Sequence, residues 1–449
     1  MNVGNDYLVY VCDLPTMEKI GKMDVFCTRQ DWYHEKNTGD IIGYIRNEEI
    51  DPKTPHGIAY NDGQSWMEQR KFAMRHLKEF GFGKSSMESL VADEAKELIA
   101  DMKAKIKANN ELQMVGQFNL TIINSLWNII TGKRLDLQNP ADQKRMDGLN
   151  EFMAQFSTAG IIQVLVFKLP LWLAKKIPAI EGMRDLHGNL FSWFWNEYKE
   201  HEDTYDEDNH RDFTDSYIAE RRKADNGNII ESSFYGNRGK FNYALTLHDF
   251  FIAGSETTST TLSFAVLSML HDPEPWKKAR AELDEVVGRT RLPTLDDRPN
   301  LIYFEALISE LMRRANVAPF AVLHSVHVDT NLNQYKVPAH SKIVFAITEV
   351  LNDPKYFPEP EKFKPERFLN HVDGKMIYKA HPALVPFGVG KRKCMGALLA
   401  QTEIFIFLSA LIHTFNFEPT IEGFPGLDDC IISITKVAKP FKAKVSIRN

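Results

Sequence analysis

The sequence is poor in cysteine and carries no long apolar run near its start. Its four cysteines, Cys12, Cys27, Cys394 and Cys430, stand at wide, irregular spacing. That excludes a disulfide framework and a CxxC zinc pattern, and it suits a reducing cytosolic environment. No HExxH, Walker loop or GxGxxG fingerprint occurs, so nucleotide-borne electrons would have to arrive from another protein. Positive charge is not in excess either. With 54 Lys and Arg against 60 Asp and Glu, the net charge is -6, which argues against a nucleic-acid binder. Residues 1–20 hold neither a signal peptide nor the roughly 20 apolar residues of a membrane span. No repeat or Pro/Gly/Ser-rich linker marks a boundary, so a single domain over residues 1–449 is expected.

What is present is an ordinary globular composition, 43% hydrophobic and 11% aromatic, with material for a large core. Helical periodicity dominates the first half, in DGQSWMEQRKFAMRHLKEFGFG, SSMESLVADEAKELIADMKAKIKA and GQFNLTIINSLWNIITGK, the last stopped by glycine. HEDTYDEDNHRD (201–212) reads as an acidic exposed connection, and DNGNIIESSFYGNRGK as a turn-rich loop. A long helix through NYALTLHDFFIAGSETTSTTLSFAVLSML should stop before Asp272-Pro273. Tyr7–Val11 and HSVHVDTNLNQYKVPAHSKIVFAI read as strands. The sum is a mainly helical chain with small sheets at one side.

Four stretches carry candidate chemistry. PFGVGKRKCMG (386–396) surrounds Cys394 with Gly388, Gly390, Gly396 and three basic residues, just before the apparent helix ALLAQTEIFIFLSALIHTF. A helix N-terminus and nearby cations favour a thiolate, the form required of a nucleophile or metal ligand. The alternative is a buried thiol beside a solvated basic turn. AGSETT (253–258) is locally unfavourable in a helix interior. It reads either as a kink with satisfied hydroxyls or as a widened turn presenting Glu256 and Thr257 to a cavity as a proton-delivery pair. ELMR (310–313) allows a Glu310–Arg313 pair, to which FKPERF adds Arg367 as a second fork. WMEQR (66–70) puts Trp66 and Arg70 one turn apart, either as a half-buried aromatic with a snorkelling arginine or as donors to one buried anion.

Together these stretches resemble the cytochrome P450 superfamily from about residue 7 to the end. FGVGKRKCMG matches the F-x-x-G-x-R-x-C-x-G haem-binding signature at every fixed position, and the other motifs stand in the family's order and spacing. The resemblance implies a mainly α fold with small β-sheets, with haem b buried between the long central helix and the cysteine loop. It implies Cys394 as the axial thiolate on the iron, with Phe387 packed beside it and Trp66, Arg70, Arg392 and His324 on the haem propionates. It further implies Glu256 and Thr257 in proton delivery, and Glu310, Arg313 and Arg367 as a structural triad. The implied activity inserts one oxygen atom from O2 into an apolar organic substrate, a steroid, terpenoid or xenobiotic. Electrons would come from NADPH through NADPH-cytochrome P450 reductase.

Lys71, Arg75, Lys78, Lys391 and Lys393 are the expected docking patch for that acidic partner. The same stretches look like the animal microsomal branch, held at the cytosolic face of the endoplasmic reticulum by an N-terminal membrane helix and a proline-rich hinge. Neither of these is expected within this chain. IIQVLVFKLPLWLAKKIP (161–178), with Trp172, Lys175 and Lys176, reads equally as a contact with the membrane surface or as a core helix and loop. By resemblance the pocket is lined by residues 45–65, by Phe250 and Ala253, by Ala318 to Val322 including Phe320, and by Leu427 to Ile432. Two other readings stand beside the monooxygenase. One is a haem-thiolate isomerase or dehydratase that needs no external electrons; the other is a truncated, non-catalytic product.

Overall fold

The apolar run centred on Phe250 becomes the spine of the molecule, and the other helices are laid against it. The computed structural model describes residues 2–3, 6–29, 40–41, 43–45, 56–82, 85–136, 138–145, 169–432 and 435–448. The first helices are α1 (Leu14–Ile20), α2 (Gly63–Glu79), α3 (Ser85–Ala108) and α4 (Asn119–Thr131). α5 (Leu171–Ala174), α6 (Pro178–Asp203), α7 (Phe213–Asn226) and the spine α8 (Gly236–His271) follow. α9 (Pro273–Val286), α10 (Ile302–Ala315), α11 (Ile347–Leu351) and α12 (Ala397–Thr414) complete the series. Local chemistry sets the ends. The Asp13 and Asp212 carboxylates accept backbone N–H bonds at the starts of α1 and α7, and Gly132, at φ +66°, closes α4 in the left-handed conformation. Pro273 cannot continue α8, so it opens α9 instead.

The principal sheet has the order β1-β2-β8-β5-β3, formed by β1 (Asn2–Val3), β2 (Asp6–Val11), β3 (Thr28–Arg29), β5 (His324–Ser325) and β8 (Lys342–Phe345). β2 and β8 run parallel, whereas β3 and β5 are antiparallel with Arg29 opposite His324. That register brings together two residues almost 300 positions apart in sequence. β4 (Glu111–Gln113), β14 (Lys442–Ile447) and β11 (Phe415–Pro419) form a second sheet with β14 in the middle. Three hairpins complete the strands: β6 (Thr330–Leu332) with β7 (Tyr335–Val337), β9 (Leu369–Val372) with β10 (Lys375–Tyr378), and β12 (Cys430–Ile432) with β13 (Lys436–Ala438).

Against α8 pack α4, α6, α10 and α12. Their shared core is aromatic-rich, with Trp127 tilted against Trp193 at 4.6 Å and edge-on to Phe251 at 5.9 Å. Each such side chain contributes roughly 1.5–3 kcal/mol on burial. α12 is long and apolar enough to cross a membrane by length and composition, but 78% of it is buried inside the protein. A helix apolar on every face belongs in a core, and α12 lies in this one.

Two sequence expectations change. AGSETT makes no widened turn, because α8 continues unbroken from Gly236 to His271. Thr257 Oγ1 turns back on the helix and donates to the Ala253 carbonyl at 2.8 Å, whereas Ser255 Oγ reaches Asn119 O of α4 at 3.5 Å. Gly254 is required by packing: a Cβ there would stand 2.8 Å from Leu126 Cδ2 of α4. The acidic connection at 201–212 is exposed only in its middle. Its two ends, His201 and Asp212, are buried against each other with Nε2 3.0 Å from Oδ2.

A second buried ion pair fixes the far side of α10. Arg313 Nε and Nη2 donate to the Glu310 carboxylate at 2.8 and 2.9 Å, and both side chains are fully buried. Arg367 Nε lies 3.1 Å from the same carboxylate, which also accepts the Lys364 N–H at 2.8 Å. Arg313 spends its remaining donors on the Leu351 and Pro360 carbonyls. This lock ties α10 to the segment ahead of the cysteine loop. Glu310→Ala strands two guanidinium groups and should cost about 3–5 kcal/mol; denaturant unfolding of the two proteins measures the difference.

The His201 site makes a pH prediction. Burial alone would lower its pKa, but the Asp212 carboxylate and Glu197 outweigh that cost and raise it. Lys133 and the Arg211–Asp215 pair are the other charges around it. A raised folded pKa adds stability that is complete below the unfolded value near 6.5 and disappears as pH rises through the folded value. Between about pH 6 and pH 9, the wild type should therefore lose more thermal stability than His201→Gln. Parallel pH profiles would refute this assignment.

Candidate active site

A cavity of about 340 Å³ lies between α8 and the loop that carries Cys394. The loop reaches it through backbone that only glycine accepts without strain. Gly388 and Gly390 have φ of +71° and +76°, and a Cβ on Gly390 would stand 2.1 Å from the Gly21 carbonyl oxygen. That close approach lets the Lys391 N–H donate to Gly21 O at 2.8 Å, pinning the loop to the end of α1. The Cys394 N–H folds back onto Phe387 O at 2.9 Å, and α12 begins three residues later.

The Cys394 side chain is exposed on the cavity wall, although protein packs around it on its other sides. Burial raises its pKa, and this outweighs the Gly396 N–H and the positive charges of Arg70 and Lys393, which act the other way. The sequence suggested that every influence favours thiolate; the structure adds desolvation and reverses the balance. A metal ion at the sulfur would supply the missing positive charge, since a coordinating thiol is deprotonated outright.

Arg29, Arg70, Arg392, His324 and Trp66 also line the cavity. Arg392 Nε donates to Cys27 O at 2.8 Å and Nη2 to Asn61 O at 2.8 Å, while its guanidinium lies 3.7 Å from the centre of the Trp66 ring. Arg29 donates to the carbonyls of Ala59 and Val322 at 2.8 and 2.6 Å, and Arg70 to Lys393 O at 2.6 Å. Burial pushes Arg29 down to about 10; burial and the neighbouring Arg29 push Arg392 down to about 8. A guanidinium stays protonated in proteins, so these shifts record charge held out of water with too little negative charge nearby. The nearest carboxylate, Asp62, is engaged by the Arg29 N–H and His327.

The buried Trp66 Nε1 has no hydrogen-bond partner among the described residues. His324 stacks on Phe345 at 4.5 Å and donates from Nδ1 to Phe26 O at 2.6 Å, and burial together with Arg29 lowers its pKa to about 3. This end of the cavity is built for an anion. The other walls are mainly apolar and include Phe82, Leu126, Phe250, Val317 and Ala318. A haem fits both features, because its carboxylate side chains match the unanswered guanidinium charge and the unpartnered Trp66 N–H, and its iron matches the sulfur.

The cavity receives Cys394, Phe387, Trp66, Arg70, Arg392, His324 and Thr257, but not Glu256. Successive helical positions project about 100° apart, and the Glu256 carboxylate instead accepts the Thr435 hydroxyl at 2.9 Å. Burial raises its pKa, opposed by the Thr435 bond. Of the expected pocket residues, Ile58, Ala59, Phe250, Ala253, Ala318 and Val322 are on the wall. Phe320 is exposed, and neither it nor Leu427–Ile432 lines the cavity. Residues 46–55 of the expected 45–65 segment and residues 161–168 of the expected membrane-facing stretch lie outside the described residues. In the remainder of that stretch, Trp172 is 65% exposed with Lys176 5.6 Å from its ring, whereas Ala174 is buried.

The sequence reading missed three ionisable wall residues. Arg29 sits in a stretch without periodicity or motif, and only the β3–β5 pairing places it beside His324. Asp249 is an acid within the spine helix and lines the wall one turn before Ala253. Glu403 had a signal, a lone carboxylate in an apolar run. It is 2% exposed, with burial holding its pKa well above the ordinary range against a Thr258 hydrogen bond.

The cytochrome P450 family profile matches residues 36–445. The chain belongs to the cytochrome P450 family. Mouse cytochrome P450 2B19 is 32% identical over 364 residues, covering 80% of this chain and 71% of that protein. Rat cytochrome P450 2J3 is 33% identical over 376 residues, covering 82% and 70%. Probable cytochrome P450 303a1 of Drosophila melanogaster is 32% identical over 401 residues, covering 84% and 77%. Members of the P450 family hold haem through a cysteine thiolate and use O2 with electrons from NADPH through a reductase, so this P450 is an enzyme of the monooxygenase class.

The glycine contact under the loop is testable in this P450. Gly390→Ala combines a positive φ with a collision against Gly21 and should cost at least about 1–3 kcal/mol. Thermal unfolding reads the loss. Gly423→Ala, with positive φ but nothing within 4 Å of the added Cβ, is the control for backbone strain alone.

Proposed function

We propose that Cys394 is the thiolate ligand of the haem and that the protein oxygenates uncharged, apolar organic molecules. The observation that carries this reading is the convergence of one cysteine and a group of carboxylate-binding donors on a single cavity whose other walls are mainly apolar. When bound, the haem supplies oxygen activation, with electron density from the sulfur favouring O–O cleavage. Arg29, Arg70, Arg392 and Trp66 would bind its carboxylates, and His324 would join them by gaining a proton at Nε2, since Nδ1–H is committed to Phe26. Phe387 would shield the sulfur from water. Thr257 places a hydroxyl on the cavity wall and would pass protons there, with Glu256 held behind it on Thr435.

The apolar wall favours steroid, terpenoid or foreign aromatic substrates over ionic ones. Lys71, Arg75, Lys78 and Lys393 are exposed, with Lys71, Arg75 and Lys78 on α2 and Lys393 beside Cys394. We assign this face to an acidic NADPH-cytochrome P450 reductase, through an association that weakens as salt rises. The microsomal relatives support a position at the endoplasmic reticulum membrane, and exposed Trp172 beside Lys176 suits its surface. A single catalytic domain is assigned to the whole chain.

The test begins with the haem-loaded protein reduced under carbon monoxide. A Soret band at the long wavelength typical of thiolate ligation is expected, and it should be lost in Cys394→Ser. A short-wavelength band in the wild type would overturn the ligand assignment. Thr257→Ala should keep the band yet divert more reducing equivalents to peroxide. Unchanged coupling would remove Thr257 from proton handling.

A further inference from the structure

Thr257 stands on the cavity wall, but the acid next to it in sequence faces a different element. The Glu256 carboxylate accepts the Thr435 hydroxyl through Oε2 at 2.9 Å. Thr435 is 5% exposed and lies just ahead of β13, on the hairpin that packs against α8. Among the described residues this hydroxyl is the hydrogen-bond partner of Glu256. Burial raises the pKa of the carboxyl and the Thr435 bond opposes it, with no charged side chain among the described residues adding to that balance. A glutamate end group on three rotatable bonds keeps one orientation only if something holds it.

The two ends of the bond are not equally free. Lys436, the residue after Thr435, is fixed by contacts that do not involve Glu256. Its N–H donates to Val317 O at 2.8 Å, its Nζ lies 3.4 Å from Arg314 O, and the same Nζ stands 5.2 Å from the centre of the Phe264 ring. Lys436 also pairs with Ile432 across the hairpin. Val317 and Arg314 belong to the end of α10 and the residues just after it, and Phe264 belongs to α8. The backbone at position 435 is therefore set by α8, α10 and β12. Its hydroxyl is a fixed point, and the glutamate side chain is the mobile partner.

We propose that Thr435 is a positioning residue for proton delivery, holding the Glu256 carboxyl at one place behind Thr257. Thr435 gives up no proton in this role. Its O–H holds Oε2 and leaves Oε1 to carry the proton that moves toward the cavity. Without the hydroxyl the carboxyl samples several orientations, and fewer of them serve Thr257. The proposal rests on the proton-handling reading above, and its test separates the two.

The contact is measured first, without turnover, by denaturant unfolding of wild type, Glu256→Ala, Thr435→Val and the double variant. The two substitutions should be coupled by about fivefold in the unfolding equilibrium constant. Strictly additive effects overturn the contact. The role is then measured on haem-loaded protein with NADPH and the reductase and no added substrate, as the share of electrons recovered as water rather than peroxide. That share should fall about threefold or more in Thr435→Val, return to within about twofold of wild type in Thr435→Ser, and change less than about twofold when Thr435→Val is added to Glu256→Gln. Thr435→Ala takes the place of the valine variant if the latter does not fold. A fall in Glu256→Gln with none in Thr435→Val overturns the positioning role. A fall that serine does not restore, or that persists in the Glu256→Gln background, assigns the effect to the fold and overturns it too. No fall in Glu256→Gln removes Glu256 from proton handling and the proposal with it. The reduced carbon monoxide spectrum of the wild type is recorded alongside; absence of its long-wavelength band overturns the haem-thiolate reading, whereas the unfolding result stands by itself.

Discussion

Taking a guanidinium group out of water costs on the order of several kcal/mol unless its donors are satisfied and its charge is answered. Arg29, Arg70 and Arg392 meet the first condition around one cavity and leave the second largely open. Much of the surrounding structure exists to bear that arrangement. Carbonyls from residues 27, 58, 59, 61, 322 and 393 are turned inward to receive their N–H groups. Those carbonyls can turn inward because they come from loops and strand ends, while α8 supplies the rigid surface opposite. An anionic cofactor bound there would complete the balance.

The same economy governs the acids. Glu310 is buried but answered by Arg313, Arg367 and the Lys364 N–H, and it therefore acts as a lock between α10 and the chain leading to the cysteine loop. Asp249 accepts the Ile58 and Ala59 N–H groups and so ties α8 to that segment. Glu403 has the Thr258 bond, and one of its oxygens is without a partner among the described residues, so burial pushes its pKa well above the ordinary carboxylate range. Three acids on three helices thus have different behaviour because their neighbours differ, not because their positions in a helix do.

Several features are legible in the order of the amino acids alone. The glycines around Cys394, the apolar run after it and the order of the short motifs suffice for the family resemblance. Helix α4 with its glycine stop and the Pro273 break follow from local chemistry, which acts within a few residues and is therefore visible in sequence. Less visible is what two helices do to each other. Gly254 reads as a weakness of α8, but it is the point at which Leu126 of α4 approaches. His201 and Asp212 read as members of an exposed acidic run, yet the end of α6 and the start of α7 fold them together.

By itself, the sequence determined which residues could carry charge, a thiol or a helix stop, and in what order they come along the chain. Only the tertiary structure decided which of them share a cavity. It set Arg29 beside His324 through a strand register, turned Glu256 away from the wall on which Thr257 stands, and raised the Cys394 pKa against the pull of nearby cations. The reason is physical. Propensity, capping and residue order are local properties of the chain, whereas desolvation and the pairing of buried charges depend on distances that exist only after the helices have packed.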